Sequence, residues 1–233
     1  MKSLAPVRLN PKRCVAALLT ATMILVAAGC GSGDSSGPGP GDVAAKAGRA
    51  VPAKTSYPLT IENCGRKVTF DGPPERVLVM NGVSVGEVQA YVLLGLQSRI
   101  IANAQRVIVS DDPTMVAEVA KLPTGGAGWN KNFDVPAEKV LELKPDLVVS
   151  TWTGGFNAQS GFATRDQLSQ AGINSFVNPV DCAYGKTDPS AAEQAAYDQQ
   201  SIESTFHFIT QTGVIFDQQQ KAADLVTTLE KRV

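Results

Sequence analysis

The sequence predicts a layered α/β fold, with a mainly parallel sheet flanked by helices, on three observations. Short apolar runs of strand length alternate with helical segments along residues 57–190. Two of these runs, Val77-Leu-Val-Met80 and Leu147-Val-Val149, are continuously apolar, as strands buried on both faces must be. Helix-stopping signals, Gly95, Lys144-Pro145 and Gly172, each stand shortly before the next apolar run. With 43% hydrophobic, 18% charged and 6% aromatic residues among 233, the composition is that of a globular chain.

The elements follow in order. Residues 59–63 and 67–70 are β-prone runs around Cys64-Gly65-Arg66, which is hairpin spacing with a glycine available for positive φ. Pro73-Pro74 breaks the chain before a strand at 76–81. Residues 83–94 are helical in pattern and end at Gly95; residues 100–103 form the next strand, and 113–121 a surface helix. Pro136 opens a helix whose Val140 and Leu143 face a core, and Lys144-Pro145 stops it before the strand 147–150. Thr164 caps a helix reaching Ala171-Gly172, with a strand at 173–177 after it. From Ser190 the texture changes to two helical runs, 191–216 and 218–232. The sequence stops at Val233 inside a helical pattern, which leads to the expectation of a truncated chain.

The N-terminus reads as an address. Residues 1–29 hold Lys2, Arg8, Lys12 and Arg13 and no acid, and the apolar run 15–28 has the length of a signal-peptide core rather than of a membrane span. The segment Val26-Ala-Ala-Gly-Cys30 resembles the lipobox of bacterial lipoproteins, in which Cys30 becomes the acylated N-terminus. The Gly-, Ser- and Pro-rich stretch after it cannot bury enough apolar surface to fold and reads as a tether. The expected organisation is a signal peptide at 1–29, a tether at 30–56, an α/β lobe at 57–190 and a helical segment at 191–233. Cys64 and Cys182 then remain for a disulfide, which an exported protein can keep; the alternative is two buried free thiols.

Charge and composition exclude several functions. The net charge of -1 lacks the basic excess of a nucleic-acid binder, and a single histidine, His207, rules out a zinc site built on several imidazoles. No cofactor and no metal site is implied, and the Gly-rich stretches 125–128 and 154–155 lack the Lys-Ser ending of a phosphate loop. The segment Gly82-Val-Ser84-Val-Gly86 matches the nucleophile elbow of α/β-hydrolases, so an esterase using Ser84 is one alternative, with His207 and Asp146 or Asp181 as partners. Against it, no earlier loop supplies an oxyanion hole, and His207 sits mid-pattern in a helix. Glu87 has no identifiable partner and reads as a helix N-terminal residue. Candidate binding residues gather in loops at strand C-termini, where open α/β sheets take ligands: Asn81, Gly82, Arg106, Trp129, Lys131, Trp152, Gly154, Gly155 and Arg165. Each tryptophan is equally readable as a partly buried anchor, and each cation as a solvated charge.

Four segments carry a resemblance. Tyr57-Pro-Leu-Thr-Ile-Glu-Asn-Cys-Gly-Arg-Lys-Val-Thr-Phe70 with Pro73-Pro-Glu-Arg-Val77, then Ala137-Glu-Lys-Val-Leu-Glu-Leu-Lys-Pro-Asp-Leu-Val-Val149, Asp166-Gln-Leu-Ser-Gln-Ala-Gly-Ile173, and Phe208 to Glu230, resemble the iron-siderophore substrate-binding lipoproteins of bacterial ABC transporters. The resemblance implies the N-terminal lobe of a two-lobed, helix-linked periplasmic-binding-protein fold whose second lobe is absent here, with residues 191–233 entering the interlobe helix. It implies capture of a ferric siderophore, or alternatively cobalamin or haem, without covalent chemistry, and weak capture with one lobe alone. It makes Glu138 a docking group for an ABC permease, although the helix macrodipole alone would favour a carboxylate there. The implied location is the cell envelope, lipid-anchored on the outer face of the cytoplasmic membrane.

Overall fold

The computed structural model describes residues 53–106, 110–126, 128–132 and 134–233. Cys30, the signal segment and nearly all of the tether lie outside the described residues. An antiparallel hairpin, β1 (Leu59–Asn63) and β2 (Arg66–Phe70), precedes a four-stranded sheet of β3 (Val77–Val79), β4 (Ile100–Asn103), β5 (Leu147–Ser150) and β6 (Asn174–Val177). The sheet is parallel throughout, in the order β4-β3-β5-β6. Helices α1 (Gly86–Leu93), α2 (Pro113–Ala120), α3 (Ala137–Leu143) and α4 (Arg165–Gln170) form the connections, and α5 (Ala191–Asp198), α6 (Ile202–Ile215) and α7 (Gln219–Glu230) follow the last strand.

The period-two alternation of a strand divides the core into two layers. Val77, Val79, Leu147, Val149 and Phe176 point to one face, where Val88 and Tyr91 of α1 and Phe208 and Ile209 of α6 cover them. Leu78, Met80, Val148 and Val177 point to the other, against Val140 of α3, Leu168 of α4 and Phe156. Helix α6 and Ala222 of α7 belong to the first layer, so these two helices pack on the sheet.

Local signals explain the boundaries. Lys144 adopts the left-handed conformation at the end of α3, and Asp146 accepts from the backbone N–H groups of Glu75 and Arg76, while the Arg76 guanidinium donates to the carbonyls of Leu143 and Lys144. The Lys-Pro-Asp segment thus ties the end of α3 to the start of β3. Thr164 caps α4 in a reciprocal box with Gln167. Two expectations are corrected. Helix α1 begins at Gly86 rather than at residue 83, because residues 81–84 form a turn closed by Ser84 N–H donating to the Asn81 carbonyl. The run 191–216 is two helices, since Ser201 starts a new one with the Ser204 hydroxyl accepting from its N–H.

The hairpin is fastened to the β6 edge by side chains rather than by a ladder. Asn63 Nδ2 donates to the Val177 carbonyl at 2.8 Å and its Oδ1 accepts from Val177 N–H at 2.9 Å. The disulfide Cys64–Cys182, with Cα atoms 5.0 Å apart, joins the hairpin turn to the segment after β6. It closes a loop across a sequence separation of 118. Replacing both cysteines with serine is expected to lower unfolding stability by about 2–4 kcal/mol, measured by denaturant titration; an unchanged midpoint would show that Asn63 and its neighbours hold the hairpin alone.

Candidate functional site

Chain order reverses between β3 and β5: the chain moves from β3 outward to β4, then returns to β5 on the other side and continues to β6. The loops leaving the carboxyl ends of these two strands must therefore diverge, opening a crevice where α/β sheets bind ligands. Asn81, just after β3, and Ser150, which ends β5, stand at that point. Asn81 is in the left-handed region, with φ 69°, and only 5% exposed. Its Nδ2 donates to Asp134 Oδ2 at 2.8 Å, its backbone N–H donates to Asp134 Oδ1, and its Oδ1 accepts from Ser150 Oγ and from Thr151 N–H. Its amide is engaged within the protein, joining three loops.

The neighbouring glycines serve the same end. Gly82, Gly154 and Gly155 are buried. A Cβ on Gly155 would meet Ser150 Oγ at 2.3 Å, and one on Gly154 would meet the Trp152 ring at 2.2 Å. Gly155 thus admits the buried network and Gly154 the indole. Arg165 is a further correction. It is 7% exposed, its Nε donating to Ser175 Oγ and its Nη atoms to the Asn63 carbonyl, Asn63 Oδ1 and the Ser175 carbonyl. It bolts the hairpin to β6 and is not available to an anionic ligand.

The remaining expected residues lie on the rim. Trp129 is exposed with the Arg106 guanidinium 5.1 Å from its ring centre, on the β4 side. Lys131 is exposed in the same loop, which Asp134 pins to Asn81. Trp152 is half-buried on the β5 side and stacks on Tyr184 at 4.6 Å, which stacks in turn on Tyr197 at 5.6 Å. Tyr184, 51% exposed, was not marked by the sequence reading, because it sits in a turn after β6 without apolar periodicity. Val83 is exposed just after β3. The rim thus presents apolar and aromatic surface from loops on both sides of the crevice.

Beneath it lies a carboxylate that sequence reading treated as an ordinary helix-start residue. Glu87 is 2% exposed and accepts from Ser84 Oγ, Gln105 Nε2 and Thr151 Oγ1 through Oε2, and from Asn178 Nδ2 through Oε1. Gln105 is itself buried and also donates to the Met80 carbonyl. The Ser84 hydroxyl is therefore directed to a carboxylate, and His207 is exposed on α6 beside Ser204 and Pro179. No described histidine partners Ser84, which leaves the esterase alternative without its base. Asp181, in the turn after β6, accepts from Gln200 Nε2; burial, reinforced by the Glu87 charge, pushes its carboxyl up to about 6. Burial also pushes Asp134 up to about 6, against the opposing effect of its hydrogen bonds to Asn81 and Val135. Among the described residues no group of three or more His, Cys, Asp or Glu is placed to hold a metal ion.

No family model matches the chain, and no curated protein matches it. Among solved structures it is similar to the ABC-type Fe3+-hydroxamate transport system of Saccharomonospora viridis, at 29% identity and a TM-score of 0.57, over 76% of this chain and 55% of that one. A periplasmic binding protein of Veillonella parvula shares the fold at 17% identity and a TM-score of 0.54, over 74% and 50% of the two chains. The chain thus has the α/β architecture of about half of a periplasmic binding protein, and spans about half the length of the structures it matches.

The raised carboxyl of Asp134 fixes the sign of a pH effect. A folded value of about 6 against an ordinary 3.8 means that the native state holds this proton more tightly. Its stabilisation is complete below pH 3.8 and lost as pH rises through about 6. From pH 4 to 7.5 the wild-type chain is expected to lose on the order of 1–3 kcal/mol more stability than Asp134→Asn, measured by denaturant unfolding at each pH. Parallel pH profiles would refute it.

Proposed function

We propose that the chain is an extracytoplasmic solute-binding lipoprotein of an ABC transporter, whose sheet rim captures a ferric siderophore and passes it to a permease. The observation that carries this reading is the β3/β5 switch point, with Trp129 in a loop on its β4 side and Trp152 and Tyr184 on its β5 side. Aromatic faces at such a point suit the apolar backbone of an iron chelate. The fold and the 29% identity to an iron-hydroxamate transport system support the same cargo class. Binding, rather than bond breaking, fits a site whose polar groups are occupied by one another. Ser84, Asn81 and Gln105 are held in internal hydrogen bonds and present no activated nucleophile.

Glu138 fits the delivery step. It is exposed in the first turn of α3, on a helix fixed at its far end by Lys144 and Arg76, so a carboxylate there is held at a defined place for a basic surface on a permease. Cys30, in its lipobox-like setting, would keep the chain at the membrane that carries the permease.

The test is a fluorescence titration of the full chain with a ferric trihydroxamate, whose iron quenches nearby indoles. Saturable quenching is expected with a dissociation constant in the micromolar range, corresponding to about -8 kcal/mol. Trp152→Ala and Tyr184→Ala should each weaken it about tenfold. Haem and cobalamin serve as competing ligands, and tighter binding of either would move the cargo from chelate to macrocycle. No saturable quenching by any of the three would overturn the reading.

A further inference from the structure

Resting on the chelate-binding reading, we infer that the β5–β6 side of the rim receives a ligand ammonium on the Tyr184 and Trp152 faces, so that the rim favours ferric chelates of zero or positive net charge over polyanionic ones. On that side an anionic chelate would need cations facing it. Arg165 is withdrawn into the hairpin joint with Asn63 and Ser175. Lys186, close to the disulfide, is paired with Glu193 and donates to the Cys64 carbonyl. Arg106 lies over the Trp129 ring on the opposite side of the crevice, where Lys131 also stands.

The β5–β6 side shows the reverse polarity. Glu87 is buried beneath it, and every side-chain donor to its carboxylate, Ser84, Gln105, Thr151 and Asn178, is neutral. Among the described residues, only neutral dipoles donate to that carboxylate. Asp181, half-buried in the turn after β6, feels that charge. Tyr184 follows three residues later and holds half of its surface open. Two carboxyl groups and exposed aromatic faces favour a donor that carries positive charge, since an ammonium is attracted both by the ring quadrupole and by carboxylates.

The experiment is a charge ladder, read by indole quenching in the full chain at low and at physiological salt. Three ferric probes are used: a linear trihydroxamate with a free terminal ammonium (net +1), the same chelate with that amine acetylated (net 0), and a tris-catecholate (net −3). The ammonium probe is expected to bind about tenfold tighter than the acetylated one at low salt, with the ratio shrinking as salt rises, and the trianion weakest of all. Asp181→Asn should reduce the ratio of the first two about threefold while leaving the acetylated probe unaffected; Glu87→Gln, which keeps the acceptor oxygen, is the second variant. Tightest binding by the trianion, or a ratio unmoved in both variants, overturns the charge assignment and leaves the chelate reading standing. Absence of quenching by all three overturns the chelate reading and the charge assignment with it.

Discussion

The geometry of the rim depends on one side-chain amide. At the switch point the loops after β3 and β5 separate by topology, and nothing in a parallel ladder holds them together beyond the last backbone hydrogen bond. Asn81 supplies that hold. Its carbonyl oxygen takes the N–H of Thr151 and the hydroxyl of Ser150, and its amide nitrogen and backbone N–H reach Asp134, which brings in the loop carrying Trp129 and Lys131. The left-handed backbone at residue 81 is what aims the amide inward; asparagine tolerates that conformation better than other residues with a side chain of this reach. The buried glycine at 155 is the corollary, because the space a Cβ would occupy there is filled by Ser150 Oγ and Asn81 Nδ2.

Much of the scaffold was legible in the sequence. Continuous apolar runs marked β3 and β5, and the stop at Lys144-Pro145, the cap at Thr164 and the hairpin around Cys64-Gly65 each state their conformation locally. The disulfide was expected from cysteine arithmetic once the N-terminus is read as an export signal. What escaped was whatever depends on residues distant in the chain. Arg165 reads as a surface cation because arginine usually is one; its burial comes from Asn63, about a hundred positions away, whose carbonyl and amide accept from it. Glu87 reads as an N-terminal helix acid, and only the meeting of α1 with the loops after β4, β5 and β6 shows that its four donors close around it. Asp134 carried no motif at all, since its function is to answer Asn81.

The site separates into parts that are rigid and parts that are offered. Amides, hydroxyls and the Glu87 and Asp134 carboxylates satisfy one another below the surface, at the low exposure where an unmatched polar group costs about 1–3 kcal/mol. Above them stand Trp129, Trp152, Tyr184 and Val83, which need no hydrogen bond to bind. Such a division suits a carrier. The lower layer fixes the position of the rings, so little conformational entropy is lost when cargo arrives, and the upper layer engages by area and charge rather than by many directional bonds.

This division also bears on release. A ligand held by several buried, directional hydrogen bonds would leave those groups unpaired on departure, and each would raise the barrier to hand-off. Here the departing cargo would uncover rings and leave the Asn81 and Glu87 networks intact, since none of their bonds passes through the ligand. The crevice can then open without a penalty from its floor. Selectivity must come from elsewhere, and the one long-range discriminator in such a floor is charge, which acts across the crevice without contact. A carboxylate solvated only by neutral dipoles retains that reach, whereas one paired with a lysine, as Glu193 is with Lys186, does not. In the proposed function the same arrangement would serve retention, release and choice of cargo.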